Sequence, residues 1–214
     1  DKPIITGYPR AFDVITSQGG FINTKEKYIF RKPFEQKDET HVMTVHEPYQ
    51  IGYHSGQVTK NLPPKVYRGF GLSAGFIFTE GSWVKTVPYD PEIYFSGEET
   101  TLALRSFTHG YDMIHVPNTP LYHWYNSDNQ ELKRDLHWED PDANSNALGD
   151  KGRSRVDTVL QGKDLGTYGI GSNRTLKEYA SLSGLDYEEK TVNLDKTLFK
   201  TYENSGIELQ EDFE

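Results

Sequence analysis

The stretch from Ser96 to Val116 constrains the fold most, because it reads as a helix that runs directly into a buried strand. Ser96 is a residue type suited to capping, and Glu99 stands three positions later, as a capping box requires. Leu102, Ala103, Leu104 and Phe107 give the helix an apolar face, and Gly110 can adopt the left-handed conformation that ends it. Tyr111 to Val116 then reads as a strand stopped by Pro117. A helix feeding a buried strand points to an α/β chain. Pro3 to Thr6, Phe76 to Thr79 and Leu121 to Tyr125 are further strand candidates. These strands are expected in one mostly buried mixed sheet, with the helix from about Gly97 to Thr108 on one face.

The first strand has no hairpin partner before it, so it is expected to join a sheet begun elsewhere. Residues 21 to 60 read as short strands and loops, with alternation at Val42, Thr44 and His46, and fit a surface elaboration or β-ribbon. Gly71-Leu72-Ser73-Ala74-Gly75 is a small-residue turn against an apolar strand, which brings backbone close to whatever lies above it. Residues 128 to 153 are polar and rich in turn formers and read as a mobile loop, with a helix from Arg153 to Gln161. Ser172 or Asn173 is the expected cap of a last helix through about Leu182, and an acidic tail, partly disordered or an extra helix, follows from Thr191.

Composition excludes several classes. At 214 residues the chain is long enough for a real core. Its net charge of −9 argues against a nucleic-acid partner, whose phosphates need a basic surface. No apolar run approaches the roughly 20 residues of a membrane span. With no cysteine, disulfides and thiolate metal sites are excluded, which fits a cytoplasmic protein. Aromatics reach 13%, and they suit either sugar platforms or ordinary core filling. Residue 1 is Asp, so the chain is expected to be a piece of a longer or processed one.

Adjacent carboxylates, Glu98 and Glu99, stand at a helix N-terminus after the loop Val87-Pro88-Tyr89-Asp90-Pro91-Glu92-Ile93-Tyr94-Phe95. The helix dipole there favours their ionised forms, and the turn is expected to aim them outward. They can accept hydrogen bonds from sugar hydroxyls; the plainer alternative is a capping box plus one favourable charge. A glycosidase also uses two carboxylates, but on opposite sides of the scissile bond, which adjacent glutamates fit poorly.

The run from Gly71-Leu72-Ser73-Ala74-Gly75-Phe76 through Phe95-Ser96-Gly97-Glu98-Glu99, Leu102, Arg105 and Thr108-His109-Gly110-Tyr111-Asp112 to Leu121-Tyr122-His123-Trp124-Tyr125 resembles the GlcNAc-transferase-like glycosyltransferase family. Tyr168-Gly169-Ile170-Gly171-Ser172-Asn173-Arg174-Thr175-Leu176 to Ser183-Gly184-Leu185-Asp186-Tyr187 resembles that family's C-terminal signature. The resemblance covers residues 1 to about 190. It implies residues 1–165 as the C-terminal part of a GT-A catalytic domain, 166–190 as a C-terminal helix motif, and 191–214 as an acidic tail.

The resemblance implies a partial GT-A fold, Rossmann-like with a mixed sheet, that transfers a sugar from a nucleotide donor. GlcNAc from a UDP-sugar, passed with retention to a hydroxyl on a protein or glycan, is the expected reaction. Lys2 to Pro9 looks like the strand following the family's metal motif. The strands that cradle uridine and the Asp-x-Asp or Asp-x-His motif are therefore expected in a missing N-terminal half, and the isolated chain is expected to be inactive. Divalent cation, Mn²⁺, is the implied cofactor, with His123 as an additional ligand; a His packed among aromatics is the alternative. Glu98 and Glu99 would orient hydroxyls, and Ser73, Ala74 and Gly75 would floor the site. Trp124, Trp138 and Arg174 are the further substrate-binding candidates, Arg174 for a pyrophosphate or else a structural salt bridge. Arg105, two turns beyond Glu98, is expected to pair with a buried carboxylate. The rival class is a non-catalytic carbohydrate-binding or partner-docking module built from half a transferase fold.

Overall fold

The computed structural model describes residues 2–11, 14–15, 29–30, 40–44, 58–62, 65–117, 119–123, 136, 139 and 144–193. In chain order the strands are β1 (Lys2–Thr6), β2 (Arg10–Ala11), β3 (Val14–Ile15), β4 (Ile29–Phe30), β5 (Thr40–Thr44), β6 (Val58–Leu62), β7 (Tyr67–Gly69), β8 (Ile77–Phe78), β9 (Tyr111–His115), β10 (Tyr122–His123), β11 (Leu185–Asp186) and β12 (Thr191–Val192). The helices are α1 (Trp83–Thr86), α2 (Glu98–Thr108), α3 (Ser145–Leu160) and α4 (Leu176–Ser183).

The expected α/β class with a mixed sheet holds. The core sheet has the order β7-β9-β1-β8. β1 pairs in parallel with β9 from Lys2↔Tyr111 to Thr6↔His115, and antiparallel with β8 at Ile5↔Phe78 and Thr6↔Ile77. β7 closes the other edge antiparallel to β9. Ile4, Tyr111 and Met113 are all buried, so the register is fixed by apolar side chains that a one-residue slip would turn the wrong way.

One strand expectation needs correction, and one strand of the sheet is less buried than expected. β10 does not enter this sheet; it pairs in parallel with β2, at Tyr122↔Arg10 and His123↔Ala11. Among the described residues β8 is an edge strand of the sheet, and Phe78 is 65% exposed there. Periodicity marks both segments as strands but carries no information about which partner each finds. Between residues 21 and 60, the ribbon expectation is met in part by the antiparallel pair β5–β6.

α2 is buried on more than one face: every residue from Thr100 to Thr108 is covered. Its polar side chains are satisfied locally, so burying them is tolerable. Thr101 donates to the Glu98 carbonyl, Thr108 to the Leu104 carbonyl, and Ser106 accepts from the Trp83 indole at 3.0 Å. Phe107 packs edge-on against Tyr179 of α4, with ring centroids 5.2 Å apart. Gly110, at φ 90°, follows the helix as expected.

Arg105 does not pair with a carboxylate as expected. Its guanidinium and Nε donate to three carbonyls: Pro88 at 2.7 Å, Thr167 at 3.1 Å and Gly169 at 3.3 Å. Burial pulls its pKa down to about 10, so it stays a cation at neutral pH. The carboxylate nearby, Asp90, is ion-paired to Arg155 of α3.

Other boundaries shift. α3 begins at Ser145, eight residues before the expected start, so residues 145 to 153 are helical. Gly149 and Gly152 disguise it, since glycine is a poor helix former. Gly152 is required by packing: a Cβ there would stand 2.9 Å from the Tyr94 amide nitrogen. The cap of α4 is Thr175 rather than Ser172 or Asn173, in a full capping box with Glu178. Thr191–Val192 is not tail but the second strand of a hairpin with Leu185–Asp186.

Arg105→Met keeps the bulk of the side chain and leaves three inward carbonyls without their donor. We expect a loss of roughly 3–5 kcal/mol in urea unfolding. A loss under about 1 kcal/mol would show that water replaces the cation without penalty.

Candidate active site

The small-residue turn after β7 is anchored on the end of β1. Thr6 Oγ1 accepts from the Ser73 amide at 2.9 Å and donates to the Ser73 carbonyl at 3.3 Å. Ser73 is buried, and its own hydroxyl has no hydrogen-bond partner among the described residues. Gly75 is exposed, and a Cβ on it would fall 2.9 Å from Pro9 Cδ, so the turn needs glycine to pass the Tyr8-Pro9 segment.

This turn meets the start of α2. The Ala74 amide donates to Glu99 Oε1 at 2.7 Å. Glu99 is thereby drawn to another segment, and the capping box expected with Ser96 does not form. The cap position is Gly97, at φ 92°, with no side-chain cap. The Ser96 amide instead donates to the Tyr94 carbonyl at 2.7 Å, closing a γ-turn around Phe95 at φ 59°.

Nor does the helix terminus dominate the carboxylates' titration. Burial is the largest effect on Glu99 and raises its pKa to about 7; the Ala74 bond opposes this, and the charge of Glu98 adds to it. Burial likewise raises Glu98, against the pull of the amides of residues 98 and 99. The expected dipole preference for ionised forms is therefore outweighed, because partial burial removes more hydration than two or three amides restore.

Tyr89 completes the corner. Its phenol is raised by burial and then by the charges of Glu98 and Glu99, which places it in the electrostatic range of both. Sequence reasoning gave Tyr89 no role; the only signal was its position in the loop leading to the glutamates. That loop is clamped from behind by α3. Glu92 accepts from Lys151 at 2.8 Å and pairs with Arg155 at 3.0 Å, and Val156 packs where a Cβ on Gly97 would come within 2.7 Å.

The structure thus brings together Ser73, Ala74, Gly75, Glu98 and Glu99. Arg174 lies at the other end of α2, roughly 15 Å along the helix axis. Both its terminal nitrogens clasp Asp112, at 2.9 and 3.2 Å, and donate to the carbonyls of Gly110 and Tyr111. His123 is partly buried on β10 beside β2. Trp124 and Trp138 lie outside the described residues. A separate cleft of about 510 Å³ opens between α4 and the β11–β12 hairpin, lined by Lys177, Asp186, Glu188 and Glu189 among others; neither Glu98 nor Glu99 lines it.

No curated protein and no solved structure matches this chain. A family model does, over residues 1–189, and it takes in every residue of the corner just described. By that match the chain belongs to the family described as glycosyltransferase (GlcNAc).

Proposed function

We propose that the corner formed by Glu98, Glu99 and the Ser73–Gly75 turn holds a sugar during its transfer from a UDP-sugar, with GlcNAc as the sugar, to a hydroxyl on a protein or glycan. The observation that carries this reading is the bond from the Ala74 amide to Glu99, which ties the two family motifs into one partly buried acidic corner. Such a pair can divide the work. Glu98 accepts hydrogen bonds from sugar hydroxyls and fixes their orientation. Glu99, titrating near neutrality, can hold or release a proton at a hydroxyl. Gly75, without a side chain, lets a ring approach the backbone.

The same reading gives the domain a GT-A fold. Among the described residues no strand pairs with the outer edge of β8, where Phe78 is exposed, in keeping with a sheet that other structure extends or covers. The divalent cation implied by the resemblance, Mn²⁺, would need oxygen ligands besides His123. Among the described residues no group of three His, Asp or Glu side chains converges to hold an ion, so they do not make a metal site by themselves and no step here depends on one.

Three outcomes test this reading. In the protein expressed from its full reading frame, Glu98→Gln should lower kcat/KM for transfer from UDP-GlcNAc about ten- to a hundredfold with unchanged melting, the cost of one charge-assisted hydrogen bond. Unchanged turnover in that variant would remove the corner from the reaction.

Glu99 should also leave a pH signature in stability. Its folded pKa lies above the unfolded value, so the native state binds the extra proton, and this group's contribution declines as pH rises from about 4.5 through 7. Glu99→Gln keeps an oxygen for the Ala74 amide and should lose that decline, becoming the more stable of the two above pH 7. Parallel melting curves against pH for both proteins would contradict the assigned environment.

The 214-residue chain alone should bind UDP-GlcNAc with Mn²⁺ no tighter than about 1 mM by calorimetry. Micromolar binding would mean that these residues build the nucleotide site themselves.

A further inference from the structure

One face of α3 holds the loop that leads into the glutamates at both of its ends. Gly152, Arg155, Val156 and Val159 follow one another at helical spacing, and Gly152, Val156 and Val159 are buried. Arg155 takes the start of the segment: its Nε donates to Asp90 Oδ2, and its Nη1 stands 3.0 Å from Glu92 Oε2. Val156, the next residue, takes the end, packed where a Cβ on Gly97 would come within 2.7 Å. Between them the Tyr94 amide nitrogen lies against Gly152. The Asp90 side chain is only 2% exposed, and its Oδ1 accepts from the Glu92 amide at 3.0 Å.

Tyr89 directly precedes Asp90, and Glu98 directly follows Gly97. The same face of α3 therefore fixes both Tyr89 and the glutamates, whose charges reach the Tyr89 phenol. Stability alone does not call for an ion pair here. A buried pair costs desolvation, and apolar side chains of similar volume often hold a fold as well. What a guanidinium adds is direction. A rigid planar fork engaged on carboxylates two residues apart allows the segment one orientation, where an apolar contact would allow several.

We infer that Arg155 is a positioning residue for the transfer reaction: through Asp90 and Glu92 it sets where Tyr89, Glu98 and Glu99 stand relative to one another around the sugar. It acts through the loop rather than on the sugar. This inference rests on the transferase reading above.

The test uses the protein from its full reading frame, with substitutions chosen to leave no charge buried alone. Arg155→Lys keeps a cation beside Asp90, but an ammonium on a flexible stem does not span both carboxylates as a planar fork does. Asp90→Asn together with Arg155→Gln exchanges the ion pair for two amides, and the asparagine keeps an oxygen for the Glu92 amide. Two quantities are measured: kcat/KM for transfer from UDP-GlcNAc, and the titration of Glu99 by carboxyl ¹³C NMR, assigned with Glu99→Gln. Glu98 and Tyr89 are the titratable groups that face Glu99 from its own helix and from the loop, and the Ser73–Gly75 turn contributes the Ala74 amide. Both proteins should lose about ten- to a hundredfold in kcat/KM, the cost of misplacing a group by about 1 Å. Glu99 should titrate below about 7, towards 4.5, because a loosened corner regains the water whose loss raises it. Lowered melting with kcat/KM and the Glu99 titration both retained would make Arg155 merely structural and overturn this inference alone. A fall in kcat/KM with Glu99 titrating as in wild type would also overturn it, since the activity would then be lost by another route. Absence of transfer by the wild-type protein would overturn the transferase reading and this inference together.

Discussion

Burying Arg105 in the middle of α2 is the constraint from which the site's geometry follows. A cation enclosed by protein needs hydrogen-bond acceptors around it, and Arg105 donates one N–H from each of its three nitrogens to the carbonyls of Pro88, Thr167 and Gly169. Two loops far apart in sequence are thereby fixed to one helix. Tyr168 then sits near both Arg105 and Arg155, with the guanidinium carbons 5.9 and 5.4 Å from its ring centroid. Asp90 offsets the charge and holds Arg155. The path from Pro88 to Gly97 is left with little freedom, and the glutamates emerge from it at a set angle.

At the other end of that path two opposing effects meet. Amides at a helix start favour carboxylates, while partial burial disfavours them. Had the pair been fully solvated, the amides would have prevailed and the corner would simply be acidic. With both partly buried, and Glu99 bonded to the Ser73–Gly75 turn, both pKa values move upward, Glu99 to about 7. One carboxyl can then change its protonation state near neutral pH without large expense, a condition that proton-handling groups in enzymes commonly meet.

α3 shows how the glutamate corner can depend on an element with weak local preferences. Its glycines lower helix propensity, but Gly152 permits contact with the Tyr94 backbone that no larger residue allows. The helix braces strain at Phe95 and left-handed backbone at Gly97, and it supplies the partners of Asp90 and Glu92. Helix propensity was given up where close packing against the site loop was gained.

Local chemistry alone determined the α/β class, the strand at Pro3–Thr6, the helix into strand across Gly110, and the nomination of Glu98 and Glu99. Each depends on periodicity, on glycine conformation or on charge placed beside a helix start, all contained within a few residues. Tertiary structure decided the rest. Ser96 and Glu99 satisfy the capping-box spacing, but the Ala74 amide from 25 residues away took the carboxylate. Arg105 looked like half of an ion pair and became a triple donor to carbonyls. Arg174 suited either a pyrophosphate or a structural salt bridge, and the structure shows the salt bridge, to Asp112 at the far end of α2. β10 had strand periodicity, but its partner proved to be β2 rather than the core sheet. In all four cases the sequence states what a side chain or strand can bond to, and the competition among distant partners, settled by burial, states what it does bond to.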